Sequence, residues 1–141
     1  MATFNKFDNF TTQLLKKEHN LNTDAITVAL TTSAPTSSWS YLSDVTGQIT
    51  YTGMSSRVLA GVSVTTPSAG VAKFANTPDL VLTSTSAFTF RYVILYNDTP
   101  ATNSTKGLIG WADYGASITI NPGENFTIDT DQTNGILTVG P

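Results

Sequence analysis

Few residues in this chain have the chemistry for catalysis, and those few lack partners in the sequence. There is one histidine, His19, and no cysteine. Triads of the Ser-His-Asp and Cys-His kinds would all have to run through His19, and neither Gly-x-Ser-x-Gly nor a glycine-rich phosphate loop occurs. His19 follows Lys16 and Lys17 near the end of an apolar-periodic stretch, where positive charge suits a helix dipole, so a surface position is expected for it. Asp113 is flanked by Trp111 and Tyr114, the setting of a sugar pocket with aromatic walls, and Glu124 and Asp129 are its acidic mates. Glycosidases need two such carboxylates at a fixed separation, but a polar residue on the solvent face of a strand accounts for Asp113 more simply. Asp129 to Gly135 begins like a calcium loop. Its Asn134 and Gly135 come one place late and no Glu follows at the required distance, so a hairpin loop built on Asx turns is expected. The residues therefore predict no catalytic group, no cofactor and no metal site.

Trp39, Tyr41, Tyr51 and Arg57 are of a different kind. They fall in or beside an irregular segment, and aromatic and Arg side chains on a polar background are what interface hot spots are made of. They form the candidate interface, against the alternative of a loop folded onto its own domain.

Composition narrows the functions further. The chain has 141 residues, enough for one domain with a two-layer core. Charged residues make up 12%, about half the usual quarter, and Thr, Ser and Asn take their place. A net charge of −3 and a single basic pair, Lys16-Lys17, leave no footprint for nucleic acid. No apolar run reaches the roughly 18 residues of a membrane span, and the first residues lack a signal-peptide layout. A soluble protein made in a cytoplasm is expected, and the Asn-x-Thr sequons at Asn9, Asn97, Asn103 and Asn125 read as by-products of composition.

The elements that would position these residues are mostly strands. Phe4 to Leu21 predicts the one helix, with Phe7, Phe10, Leu14 and Leu21 as its apolar stripe, Leu15 beside them, Asn5 as cap and Asn20 as left-handed stop. From Ala25 the period changes to two, and Ile26–Thr31 predicts a half-buried strand. Residues 36–53 are irregular, with a short helical turn at Leu42–Val45 and an extended piece at Ile49–Tyr51. Arg57–Thr65 alternates with Val58, Ala60, Val62 and Val64 on one face. Pro67 to Gly70 then turns the chain into Val71–Ala75, and Leu80–Thr83 follows. Ala87–Asn97 predicts the central strand, apolar on both sides in its second half, with Phe88, Phe90, Tyr92, Ile94 and Tyr96 on one face. Leu108–Tyr114 is a strand in which Gly107 and Gly110 permit close backbone approach. Ser117–Ile120 and Asn125–Ile128 flank Asn121-Pro122-Gly123-Glu124, a type II turn, and Ile136–Val139 closes the chain. The sum is a mainly β protein, a β-sandwich or jelly-roll-like domain of eight or nine short antiparallel strands (25–139) with one N-terminal helix (4–21), in one domain over 1–141.

Taken together, several segments resemble a group of small virion structural proteins of tailed bacteriophages. They are Phe4-Asn-Lys-Phe-Asp-Asn-Phe10, Asp24 to Thr31 with Ala34-Pro35 after it, Leu42-Ser-Asp-Val45, Phe90 to Asp98, Leu108 to Gly115, and the closing Ile118–Val139 hairpins. The resemblance implies a non-enzymatic capsid decoration (cement) protein on the outside of the virion shell. Its partners would be the major capsid protein or other virion proteins, and it would be a homo-oligomer that binds neither nucleic acid nor membrane. It carries no motif from which a functional residue can be transferred. A tail, fibre or connector component of the virion and a carbohydrate-binding module stand beside it as alternatives.

Overall fold

Ile26–Thr31 (β2) and Phe88–Asn97 (β6) are the densest apolar stretches of the chain, and they pair antiparallel from Ile26 opposite Asn97 to Thr31 opposite Tyr92. A computed structural model describes residues 3–141. Around this pair the chain forms Phe4–Lys6 (β1), the helix Phe10–Leu15 (α1), Ser63–Ser68 (β3), Val71–Ala75 (β4), Leu80–Thr83 (β5), Leu108–Ile120 (β7), Asn125–Ile128 (β8) and Leu137–Val139 (β9). One sheet has the order β1-β7-β6-β2, and two smaller sheets are β3-β4-β9 and β5-β8, all antiparallel. Val28, Leu30, Phe90, Val93, Leu95 and Ile109 of the large sheet meet Phe74, Leu82, Ile128 and Leu137 of the small ones in one buried cluster. The protein is thus mainly β, a sandwich with the large sheet as one layer and the two small sheets as the other.

The large sheet is also covered on its outer side. Ala29, Ile94, Tyr96 and Leu108 point there and pack under Phe7 and Leu42, with Trp39, Val45 and Trp111 around them. Both faces of β2 are therefore buried along its whole length, where sequence alternation predicted a half-buried strand. The partition of β6 also differs from strict alternation. Phe88 and Phe90 share the sandwich core with Val93 and Leu95, whereas Ile94 and Tyr96 lie in the outer cluster. A register shift between Phe90 and Tyr92, whose partners jump from Ile118 to Asp113, changes the phase of the strand at Arg91.

The N-terminal segment departs most from expectation. Only Phe10–Leu15 is helical; Phe4–Lys6 is instead a strand on β7, with Phe4 opposite Ala112 and Lys6 opposite Gly110. A Cβ on Gly110 would come within 2.4 Å of the Asn5 carbonyl, so this glycine permits the close approach that its place in the sequence suggested. Isolated helices are marginal at this length, and the open edge of β7 offers the backbone of 4–6 better partners. Asn9 takes the N-cap position in place of Asn5. The helix closes at Lys17, not at Asn20: Lys17 N donates to Leu14 O (3.1 Å) and Glu18 N to Gln13 O (2.9 Å), a Schellman motif. Lys17 has a left-handed φ of 62°. Of the predicted stripe, Phe7, Phe10 and Leu21 are buried and Leu14 half-buried, while Leu15 is 87% exposed.

Two further strands are displaced. Residues 57–59 lie beside β2 and do not begin a strand, because Gly61 (φ 59°) turns the chain before β3 starts at Ser63; Val58 and Val64 are exposed. The Pro67–Gly70 turn is shorter than predicted, with β3 running through Ser68. Leu108–Tyr114 and Ser117–Ile120 are one bulged strand, β7, with Gly115 at φ 84° inside it. The Asn121–Glu124 turn forms as predicted, with Glu124 N on Asn121 O (3.0 Å) and Gly123 at φ 82°. It does not make a hairpin: β7 pairs with β6 and β8 with β5, so the turn carries the chain from one layer to the other.

Burial separates the neighbours on α1. Phe10→Ala should lower stability by about 3–5 kcal/mol and Leu15→Ala by less than about 0.5 kcal/mol, read from urea unfolding of the two variants.

Candidate functional site

β2 is an outer strand of its sheet, and its free edge would expose a row of unpaired backbone groups. Residues 48–59 close that edge. Ile49 N donates to Leu30 O (3.1 Å), Val28 N to Arg57 O (2.9 Å) and Leu59 N to Ile26 O (2.8 Å). Two side chains complete the closure. Leu30 N donates to the Tyr51 hydroxyl (3.0 Å), which itself donates to Gln48 Oε1 (2.9 Å), and the Arg57 guanidinium donates to Val28 O. The guanidinium lies 3.6 Å from the centre of the Tyr51 ring, a cation–π contact. Burial pushes the Tyr51 hydroxyl above its usual range, which keeps its proton for Gln48.

The structure thus brings Tyr51 and Arg57 together as the cap of a strand edge. Trp39 and Tyr41 lie elsewhere. Trp39 is half-buried against the outer cluster, and Tyr41 donates its hydroxyl to Glu18 Oε2 (3.2 Å) while its backbone bridges to Gly107. The short turn predicted near Leu42 is a 3-10 turn over Leu42–Asp44, held by Asp44 Oδ2, which accepts from the backbone N–H groups of Ser40 (2.9 Å) and Tyr41 (3.0 Å).

His19 is buried, at 6% exposure, against the expectation of a surface position. The chain folds back after Lys17 and lays the imidazole between Phe10, Gln13, Asn97 and Gly107. Gln13 Nε2 donates to Ser40 O (3.0 Å), which leaves Gln13 Oε1 to accept from His19 Nε2–H (2.8 Å). His19 Nδ1 then accepts from Asn97 Nδ2 (3.3 Å), and Asn97 also donates to Asp24 Oδ2 (2.6 Å). This order of donors fixes the neutral tautomer protonated on Nε2; a proton on Nδ1 would face the Asn97 amide donors. Desolvation lowers the His19 pKa, opposed by the charges of Glu18 and Asp24. Gly107 is required here, since a Cβ would sit 2.7 Å from both Gln13 Oε1 and His19 Cε1. Sequence reasoning missed this network. Its visible signal was Gln13, three residues after Phe10 on the buried side of a short helix.

The carboxylates considered for chemistry hold the chain together. Asp113 takes a two-pronged bond from Arg91 (2.8 and 3.1 Å) and one from Gly115 N (2.8 Å), pinning the bulge between β6 and β7. The Arg91 hydrogen bond, with that from Gly115, lowers its pKa, so it is ionised rather than poised as an acid. Glu124 bonds Asn121 within its turn. Asp131 accepts from Thr133 N, Asn134 N and Asn134 Nδ2, the Asx turn predicted for this loop, but the loop is not a hairpin, because β8 pairs with β5 and β9 with β4. Asp79 accepts from Thr130 N, Thr130 Oγ1 and Gln132 Nε2, tying the start of β5 to the end of β8.

A groove of about 430 Å³ lies between the 14–22 segment and the face of β3-β4-β9. Its walls are Leu14, Leu21, Val64, Phe74, Leu137 and Val139, and the exposed Lys17, Asn20 and Asn22 form its polar side. This volume lies within the range of small-molecule sites. No family model matches the chain, and no curated protein or solved structure matches it either.

Two expectations follow for the solution behaviour. Tyr51→Phe, which strips Leu30 N of its acceptor, should cost about 1 kcal/mol in chemical unfolding, with the sheet intact by circular dichroism. His19 has a lowered pKa when folded, so the unfolded chain binds its proton first. The stability held by the neutral ring is complete above pH 6.5 and is lost as the pH falls below it. The carboxylates with lowered pKa act below 3.8. The melting temperature should therefore fall between pH 7.5 and 5.5, and His19→Gln should flatten that dependence.

Proposed function

We propose that this protein is a non-enzymatic structural component of a bacteriophage virion, a capsid decoration protein that attaches to the outer shell and stabilises it mechanically. The observation that carries the non-enzymatic part is the commitment of its reactive side chains. His19 is spent on Gln13 and Asn97, Asp113 on Arg91 and Gly115, Asp131 on its own turn and Asp79 on Thr130 and Gln132. Groups held in this way rigidify a building block. The place in a virion rests on the resemblance of the strand and turn segments to small phage structural proteins.

A charge-poor surface supports attachment, since each charge buried at an interface costs several kcal/mol unless it is paired. Leu15, 87% exposed, is the clearest apolar residue of that surface. A single contact need not be strong, because copies joined in one symmetric oligomer gain avidity of about 10²–10⁴ when they can engage together. Imaging of purified particles should place the protein on the shell, and particles assembled without it should lose their contents at lower temperature. Leu15→Asp should reduce its occupancy on particles while leaving its own melting temperature within about a degree of wild type. Full thermal resistance of particles that lack the protein would reject the decoration role, and a position on the tail would replace it with a tail, fibre or connector role.

A further inference from the structure

The groove beside α1 has an unusual rim. Asn20 Oδ1 already accepts from Asn22 N (3.2 Å), and Asn22 Oδ1 from Val64 N (3.1 Å). Each amide oxygen thus already holds one backbone N–H, while the two amide NH₂ groups and the Lys17 ammonium have no hydrogen-bond or ion-pair partner among the described residues. The nearby carboxylates are engaged elsewhere: Asp24 Oδ2 accepts from Asn20 N (2.8 Å) and Asn97 Nδ2, and Glu18 Oε2 from Tyr41. What remains at the rim is donors and one positive charge, above walls of Leu21, Phe74, Leu137 and Val139.

Lys17 adds a second, independent observation. It occupies the left-handed closing position of the helix, φ 62°, and is the one non-glycine residue with positive φ among the described residues. Glycine is the usual residue there because a Cβ is disfavoured in that conformation. A lysine at a position where glycine would be easier is a strained residue at a cavity edge, and such strain points to a use for the side chain.

We propose that this groove binds a small amphiphile with an anionic head, of the fatty-acid class, its chain lying against Phe74 and Leu137 and its carboxylate on Lys17 and the amides of Asn20 and Asn22. A second copy of the chain fits worse, because bringing two such rims together would oppose their Lys16-Lys17 pairs. An extended peptide added to β3 gains little, because the outward Val64 N–H is already taken by Asn22. The volume suits a single chain rather than a lipid surface.

The test is titration of the isotope-labelled full chain with decanoate below its micelle concentration, followed by amide chemical shifts. Saturable shifts confined to 14–22, β4 and β9 are expected, with decyltrimethylammonium binding at least threefold more weakly. Ala72→Phe, which fills the groove from an exposed position on β4, should weaken decanoate at least tenfold. Lys17→Gly should keep or raise the melting temperature yet weaken decanoate about threefold, the contribution of one exposed charge contact. A lysine that served the fold alone would not split stability from binding in this way. Absence of saturable shifts, equal binding of the cationic chain, or unchanged affinity in Lys17→Gly would each overturn the proposal. The measurement uses the free protein, so its failure leaves the virion reading standing, and loss of that reading leaves the groove.

Discussion

The fold rests on the paired strands β2 and β6: the second half of β6 is apolar on both faces, and β2 buries Ile26, Val28 and Leu30 on one face and Thr27, Ala29 and Thr31 on the other. A strand of that kind has to be covered twice, and a two-layer sandwich covers it once. The second cover comes from outside the regular layers. Phe7 folds over the outer face from the N-terminal side, Leu42 and Val45 from the irregular 36–53 segment, and Trp39 and Trp111 fill between them. Three residues of the segment considered for a partner, Trp39, Leu42 and Val45, thus cover the outer face of their own sheet. Burying a Leu or Phe side chain is worth roughly 1.5–3 kcal/mol, so covering Ile94, Tyr96 and Leu108 offsets part of the cost of ordering this loop.

Edges present the same problem in polar form. The fold closes β2 with backbone where the chain can reach and with side chains where it cannot: the Tyr51 hydroxyl serves Leu30 N and the Arg57 guanidinium serves Val28 O. Asn22 does the same for Val64 N at the edge of β3, and Phe4–Lys6 pairs with part of β7. Aromatic, Arg and Asn residues in loops can thus be structural acceptors and donors for a sheet. In a chain with few charges, such neutral or delocalised groups close edges that other proteins blunt with lysine.

Strand existence and turn chemistry were legible in the sequence because both are local. β-branched and aromatic residues marked β2 and β6, the Pro67–Gly70 turn marked the start of β4, and Pro122-Gly123 marked its own turn. Pairing was not legible, because it depends on contacts between distant residues. The Asn121–Glu124 turn looks the same whether it closes a hairpin or passes between layers, and only the partners of β7 and β8 decide. The N-terminal helix was misread for the opposite reason. Phe7, Phe10 and Leu14 have helical spacing, yet Phe7 is buried from the irregular link before the helix and Phe4 is half-buried on a strand, so one apolar pattern served three local structures. The four interface candidates were picked out by residue type in an irregular stretch, which is a local property. Their surroundings, which decide between partner contact and self-contact, lie on β2, on Glu18 and on the outer cluster, beyond any window of sequence.

The buried His19 network joins the two halves of this account. It links the tail of α1 through Gln13 to Ser40 in the outer lid, and through Asn97 to the end of β6 and Asp24. The same residue, His19, lines the groove whose rim is Lys17, Asn20 and Asn22. A polar network satisfied in one arrangement holds its members rigidly, since any displacement leaves a buried donor or acceptor without a partner. The 14–22 segment is therefore anchored on one side by hydrogen bonds and open on the other to an apolar cavity, and its Schellman closure sets Lys17 at that opening. That geometry fixes one wall of the groove: moving the 14–22 segment would displace His19 and break the network that ties it to Ser40 and to the end of β6.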